Sequence, residues 1–330
     1  MTRSHIPVSM TGSVLALAGG VGGARFACGL AGRLEPSRLT IVVNTADDFE
    51  HLGLHISPDL DTMTYTLAGI NDPAQGWGIR GESWAAMGAL KRLGGEDWFA
   101  LGDQDMATHL LRSLRLRSES LSDITSDFAR RLGIRHRIVP MSDDPVRTMV
   151  DTDEGRLAFQ DYFVRRHGQP RFIGVDFEGS ASARPAAAFL DALDDPALEA
   201  IIICPSNPLL SIRPILALPG IEERLRQHRA PVLAVSPFIG GKTVKGPAAK
   251  MLQEVGLPVT PAGLRQCYEG LLDALVIDRA DAEHDIQGDD EEHRRIPVLV
   301  TDTLMRDAAD QLRLADEVLA FVRSLREARR

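Results

Sequence analysis

Apolar residues cluster in short unbroken runs rather than in strict alternation over much of the chain. Val14 to Ala18, Leu39 to Val43, Ala200 to Cys204, Val232 to Val235 and Ala274 to Ile277 are such runs. Runs of this length that lack a polar face read as strands buried on both sides, which is the pattern of a parallel sheet covered by helices. Between them the period lengthens to that of amphipathic helices at Ala24 to Leu34, Asp59 to Ala68, Glu82 to Leu93, Asp103 to Leu114 and Ser120 to Leu132, with Ser120 placed to cap the last. Further helices are predicted at Gly220 to His228, Ala248 to Glu254 and Thr303 to Arg326. Thr148 to Asp151 and Leu157 to Val164 flank a turn-like Thr152 to Arg156 and predict a β-hairpin. The pattern predicts an α/β fold: a Rossmann-like three-layer core with a mostly parallel sheet, carrying helical and hairpin insertions. We take 12–330 as one domain, with a helical region at 59–135 over the active site and a hairpin insertion at 146–166.

In such folds ligands bind beyond the carboxyl ends of the strands. Two segments fall there. Gly19-Gly20-Val21-Gly22-Gly23 follows the first run and leads into a helix, so its backbone N–H groups and the helix N-terminus favour phosphate, with Arg25 close behind. The dinucleotide pattern fails, because Gly20 and Gly22 would require glycine where Arg25 stands, which argues against hydride transfer. Asn44-Thr45-Ala46-Asp47-Asp48 follows the second run, and carboxylates beside a phosphate loop suit Mg²⁺. Asp59 reads either as part of that crevice or as a helix-terminal charge.

Gly241-Lys242-Thr243 is not a P-loop, since Ser236 occupies the place of its first glycine. Lys242, Lys245 and Lys250 surround this region as possible phosphate contacts. His51 and His55 have helical zinc-ligand spacing, but Gly53 between them and the lack of a glutamate base argue against zinc. Trp77, Arg80 and Trp84 could stack on a planar heterocycle, with core packing the simpler role for Trp84. No serine elbow, catalytic-cysteine signature or kinase loop is present, so no covalent nucleophile is visible.

Composition narrows the classes. The 330 residues carry 37 basic and 46 acidic side chains, a net charge of −9, which argues against broad nucleic-acid binding. Eight carboxylates fall between Asp278 and Glu292, expected to be a solvated loop. Cys28, Cys204 and Cys267 are odd in number and far apart, so neither a disulfide framework nor a cysteine zinc site is supported. No apolar run approaches the length of a membrane span, and a cytoplasmic enzyme is expected.

The motifs in order resemble the 2-phospho-L-lactate transferase (CofD) family of coenzyme F-420 biosynthesis. They are Gly19 to Phe26, Asn44 to Asp48, Ile56 to Thr62, Leu101 to His109, Met141 to Pro145, Phe159 to Asp161, Ser206-Asn207-Pro208 and Lys245 to Ala248, spread over nearly the whole chain. Gln104 departs from the residue the family often has there. The resemblance implies a Mg²⁺-dependent homodimer. It would transfer a phospholactyl or phosphoenolpyruvyl-type group from a guanylyl diphospho donor to the terminal hydroxyl of Fo (7,8-didemethyl-8-hydroxy-5-deazariboflavin), releasing GMP. On it, Gly19, Gly20, Val21, Gly22, Gly23, Arg25, Ser206, Asn207, Lys245 and Gly246 would hold the donor, and Asp47 and Asp48 the metal. Thr45, Asp61, Gly102 and Asp103 would hold Fo, with Asp61 and Arg25 catalytic. A related branch, the gluconeogenesis-factor proteins, shares the glycine segment and an Ala-Asp-Asp stretch but binds sugar nucleotides as a regulator. There a Gly-Gly-Ser-Ser-Gly-Arg type stretch follows, where this chain has Phe49-Glu50-His51-Leu52-Gly53.

Overall fold

A computed structural model of the chain describes residues 10–244, 246–283 and 295–328. Its centre is a seven-stranded, all-parallel sheet. We number its strands β1 (Ser13–Ala18), β2 (Leu39–Val43), β3 (Arg137–Pro140), β4 (Leu198–Ile203), β5 (Val232–Val235), β6 (Ala274–Asp278) and β7 (Val298–Thr301). They lie in the order β7-β6-β5-β4-β1-β2-β3, so the winding reverses between β1 and β4. Alternate residues supply two cores. Leu15, Leu17, Ile201 and Ile203 pack on one face with Phe189 and Leu252, while Val14, Ala16, Ala200 and Ile202 pack on the other with Phe26 and Leu319. Both faces are covered, which is why these strands read as unbroken apolar runs.

β3 and β7 add to the five strands anticipated. They are the edges of the sheet, four residues each, and β7 is only partly buried, so their apolar signal is weak. Pro140 ends β3, where an edge tolerates a missing N–H. The expected hairpin supplies two strands of a three-stranded antiparallel sheet, Gly155–Ala158, Arg147–Thr152 and Phe172–Glu178. Its second arm stops at Ala158, and Asp161–Arg165 forms a helical turn instead.

Between β2 and β3 the chain inserts a small hairpin, Phe49–His51 with Leu54–Ile56, and four helices: α2 (Pro58–Leu67), α3 (Ala85–Arg92), α4 (Asp103–Arg115) and α5 (Leu121–Arg131). Ser120 caps α5 by accepting the Asp123 N–H at 3.1 Å, as its position implied. α3 and α4 cap each other. Asp103 accepts N–H bonds from Ala85 and Ala86, and Glu82 accepts those of Gln104 and Asp105. α4 is patterned inside out: Asp105, His109 and Arg112 are buried, whereas Leu110, Leu111 and Leu114 are about half exposed.

Three further expectations need correction. Trp84 is not a core residue but 39% exposed. The acidic stretch is not wholly solvated, because Asp278 accepts bonds from the Thr303 N–H and hydroxyl, and Asp281 accepts the Gly240 and Gly241 N–H groups. Its residues 284–292 lie outside the described residues. The C-terminal helix is Ala308–Ala328, beginning after the anticipated start. Among the described residues no helix is long and apolar enough to cross a membrane.

Candidate active site

The reversal of winding brings the ends of β1, β2 and β4 together. β1 ends at Ala18, and the chain passes directly into helix α1 (Gly20–Ala31), so Gly20 to Gly23 are its first turn rather than a free loop. Gly20 has φ of +64°, which glycine adopts without a Cβ penalty. At Gly22 a Cβ would stand 2.4 Å from the Pro205 carbonyl oxygen, so the approach of α1 to the segment after β4 requires glycine. The Gly19 N–H donates to Ser206 Oγ at 3.1 Å, and the Gly20 N–H to Asp59 Oδ1 at 2.8 Å. Gly19 has no side chain to cap α1 and no acidic residue occupies its first turn, so Asp59 takes the Gly20 N–H from outside the helix and the N–H groups of Val21 and Gly22 are left suited to an anion.

Beside it lie three buried carboxylates. The Asn44 N–H continues from β2 to bond the Ala18 carbonyl, and its side-chain amide donates to Asp59 Oδ2 at 3.0 Å. Asp59 stands in the first turn of α2, yet its carboxylate reaches across to α1 and Asn44 instead of serving its own helix. Asp47 Oδ1 accepts the Thr148 hydroxyl at 2.9 Å, and the Gln160 amide donates to the Asp47 carbonyl. Asp48 Oδ2 accepts the Ser57 hydroxyl at 2.8 Å and faces His55 Nε2 at 3.1 Å, whereas its Oδ1 is buried with no partner.

Burial, followed by the charge of Asp59, pushes the Asp47 carboxyl well above the usual range, against the bond from Thr148. Burial also raises Asp48, against His55 and Ser57. Asp59 is pushed up to about 6, chiefly by burial and in part by Asp48, against the Asn44 and Gly20 bonds. Three buried carboxylates that resist ionisation in the bare protein are what a bound cation would reverse.

A second cluster sits under α4. Arg112 bonds both oxygens of Asp61, the Tyr65 hydroxyl donates to Asp105 Oδ1 at 2.7 Å, and His109 lies between Asp61 and Asp105. One ligand atom each from Asp61, Asp105 and His109 falls within 4.8 Å of the others. Arg112, paired with Asp61, already supplies positive charge to this group.

The other anticipated residues are distributed as follows. Thr45 is buried between Asn44 and the Asp pair, and its carbonyl accepts the Asp48 N–H. Arg25 donates to the Met305 carbonyl at 3.1 Å. Asn207 Oδ1 accepts the Leu209 and Leu210 N–H groups, capping its own turn. Gly102 precedes α4 against the Glu82 side chain, and Asp103 caps α3. Gly246 is exposed at a turn, and Lys245 lies outside the described residues. Lys250 is taken up by the Gly168 and Pro170 carbonyls. His51 and His55 stand on the small hairpin rather than on a helix, His51 edge-on to Trp98. Asn44, Thr148, Ser57 and Arg112 have no role assigned from sequence, and His55 is weighed there only as a zinc ligand; Asn44 and Ser57 carry a local hint as neighbours of the acidic motifs.

The family model for 2-phospho-L-lactate transferase CofD matches residues 14–316. This chain belongs to the CofD family. A 2-phospho-L-lactate transferase of Methanopyrus kandleri is 40% identical over 314 residues, covering 94% of this chain and 97% of that one. A phosphoenolpyruvate transferase of Kitasatospora aureofaciens is 41% identical over 318 residues, covering 92% and 98%. The chain is thus a CofD-type transferase. A crystal structure of a UPF0052 family member from Bacillus halodurans shares the CofD fold seen here, with a TM-score of 0.56 at 15% identity, over 95% of this chain and 99% of that one.

Proposed function

We propose that this transferase moves a phospholactyl or phosphoenolpyruvyl-type group from a guanylyl diphospho donor to the terminal ribityl hydroxyl of Fo, in coenzyme F-420 biosynthesis. The hydroxyl oxygen bonds to the donor phosphorus and gives up its proton, and the bond from that phosphorus to the oxygen of GMP breaks, GMP keeping the electron pair. The observation that carries this reading is the juxtaposition of buried Asp47, Asp48 and Asp59 with the glycine-rich N-terminus of α1, whose Gly20 N–H Asp59 accepts. Such a transfer rests on positioning and charge neutralisation rather than a covalent nucleophile, consistent with the absence of one from the sequence motifs.

Mg²⁺ fits this site, because Asp48 Oδ1 is a buried bare oxygen and its neighbours are hard carboxylates. Asp47 and Asp48 would hold it, with Asp59 beside them, and when bound it would supply charge neutralisation for the phosphates. The N–H groups of Val21 and Gly22 receive the donor diphosphate, Gly19, Gly20 and Gly23 let the phosphate approach this turn closely, and Arg25 adds a guanidinium. Ser206 fixes the Gly19 backbone for this role. Thr45, Asp61, Gly102 and Asp103 line the acceptor side. The enzyme works in the cytoplasm as a homodimer.

Incubation with Fo, Mg²⁺ and, in turn, the lactyl- and enolpyruvyl-diphospho-guanosine donors tests the reading by the mass of the deazaflavin product. A product heavier by the corresponding phospho group is expected with at least one donor. No product with either, together with no change in Fo fluorescence on titration, would overturn it.

A further inference from the structure

Asp48 is held asymmetrically. Its Oδ2 accepts the Ser57 hydroxyl at 2.8 Å and faces His55 Nε2 at 3.1 Å, while Oδ1, equally buried, meets no donor. A carboxylate whose two oxygens were free to exchange would share these partners by rotation about its terminal bond. Two partners on one oxygen fix that rotation. His55 is itself pinned from outside the site: its N–H donates to Ser113 Oγ at 2.7 Å, and its carbonyl accepts Arg112 Nη1 at 3.5 Å, both from α4. The far ring nitrogen, Nδ1, lies 3.3 Å from Glu50 Oε1, so the imidazole plane is set at both ends. Ser57, just ahead of α2, does not use its hydroxyl to cap that helix; the hydroxyl goes to Asp48.

We infer that His55 and Ser57 are positioning residues: they saturate Asp48 Oδ2 and thereby turn the bare Oδ1 toward the divalent cation. This rests on the reading that Asp47 and Asp48 hold the cation. Ligating carboxylates are oriented by such outer partners, and removal of one lowers metal affinity by about 10- to 100-fold. α4 thus acts on the cation through His55 without touching it.

Mn²⁺, followed by the electron paramagnetic resonance signal of the free ion, reports binding in the absence of substrate and turnover. Ser57→Ala and His55→Phe are each expected to weaken Mn²⁺ binding about tenfold or more, with the thermal midpoint little changed in Ser57→Ala. His55→Gln, which places an amide N–H at a similar reach to Nε2, is expected to recover most of the loss seen in His55→Phe. Asp48→Asn and Asp47→Asn serve as the reference for loss of the ligands themselves. If these two weaken binding while Ser57→Ala and His55→Phe bind Mn²⁺ as the parent does, the positioning role is overturned and the cation site stands. If the parent fails to bind, or Asp47→Asn and Asp48→Asn bind unchanged, the cation site itself is wrong and the inference falls with it.

Discussion

Arg112 sets its two terminal nitrogens against the two carboxylate oxygens of Asp61, Nη1 to Oδ2 at 3.0 Å, with both side chains buried. Loss of one partner leaves the other charge uncompensated, at a cost of about 3–5 kcal/mol. Asp61→Leu and Arg112→Met are each expected to melt early, and the double variant to regain most of the stability, as read by denaturant unfolding. If Asp61 also touches the acceptor, the stable double variant still loses at least about tenfold in kcat or Fo affinity, equivalent to ~1.4 kcal/mol. Wild-type turnover in the double variant would assign Asp61 to the ion pair alone.

Asp59 ties stability to pH. Its carboxyl is raised to about 6, so between its unfolded value and 6 the folded chain holds more protons than the unfolded one. Stability of chelator-treated protein should therefore fall as pH rises from about 4 through 6, by ~2–3 kcal/mol at most from this group. Mg²⁺ favours the ionised form and should raise the melting temperature more at pH 7.5 than at pH 5. An equal rise at both pH values would remove Asp59 from the cation's surroundings.

Asp47→Asn should fold normally and lose most turnover. Burial already favours the uncharged carboxyl, which an amide mimics in shape, but an amide is a poor Mg²⁺ ligand. Full activity at saturating donor and Mg²⁺ would refute the assignment.

Arg25→Ala is expected to raise the donor KM while leaving Fo affinity intact, because charge-assisted bonds from a guanidinium favour phosphate. Its bond to the Met305 carbonyl offers the competing outcome, an equal loss of both affinities with a lowered melting temperature. Steady-state kinetics with each substrate varied separates the two.

The central strands were legible because burial on both faces leaves them no polar positions, as in Ile201, Ile202 and Ile203. The edges were not: β7 is partly exposed and β3 ends in a proline. Phe172–Glu178 joins a hairpin that looks complete without it, and the turn signal before it, Gly168 with Pro170, does not say which strand it leads back to. The Asp47-Asp48 pair could be read from its place after β2. The bond from Gly20 to Asp59 spans 39 residues and belongs to the tertiary fold, so no local spacing announced it. From sequence Asp59 therefore reads either as part of the crevice or as a helix-terminal charge.

The spacing of α4 is legible as a helix but misleading as to which way it faces. Its leucines at 110, 111 and 114 invite burial, yet Asp105, His109 and Arg112 are the residues turned inward. The roll of this helix about its own axis is consequently fixed by charge pairing with α2, in opposition to its oiliness. Weakening that pairing removes the force that keeps the leucines in water, and Ser113, the residue that grips the His55 backbone, turns with the helix.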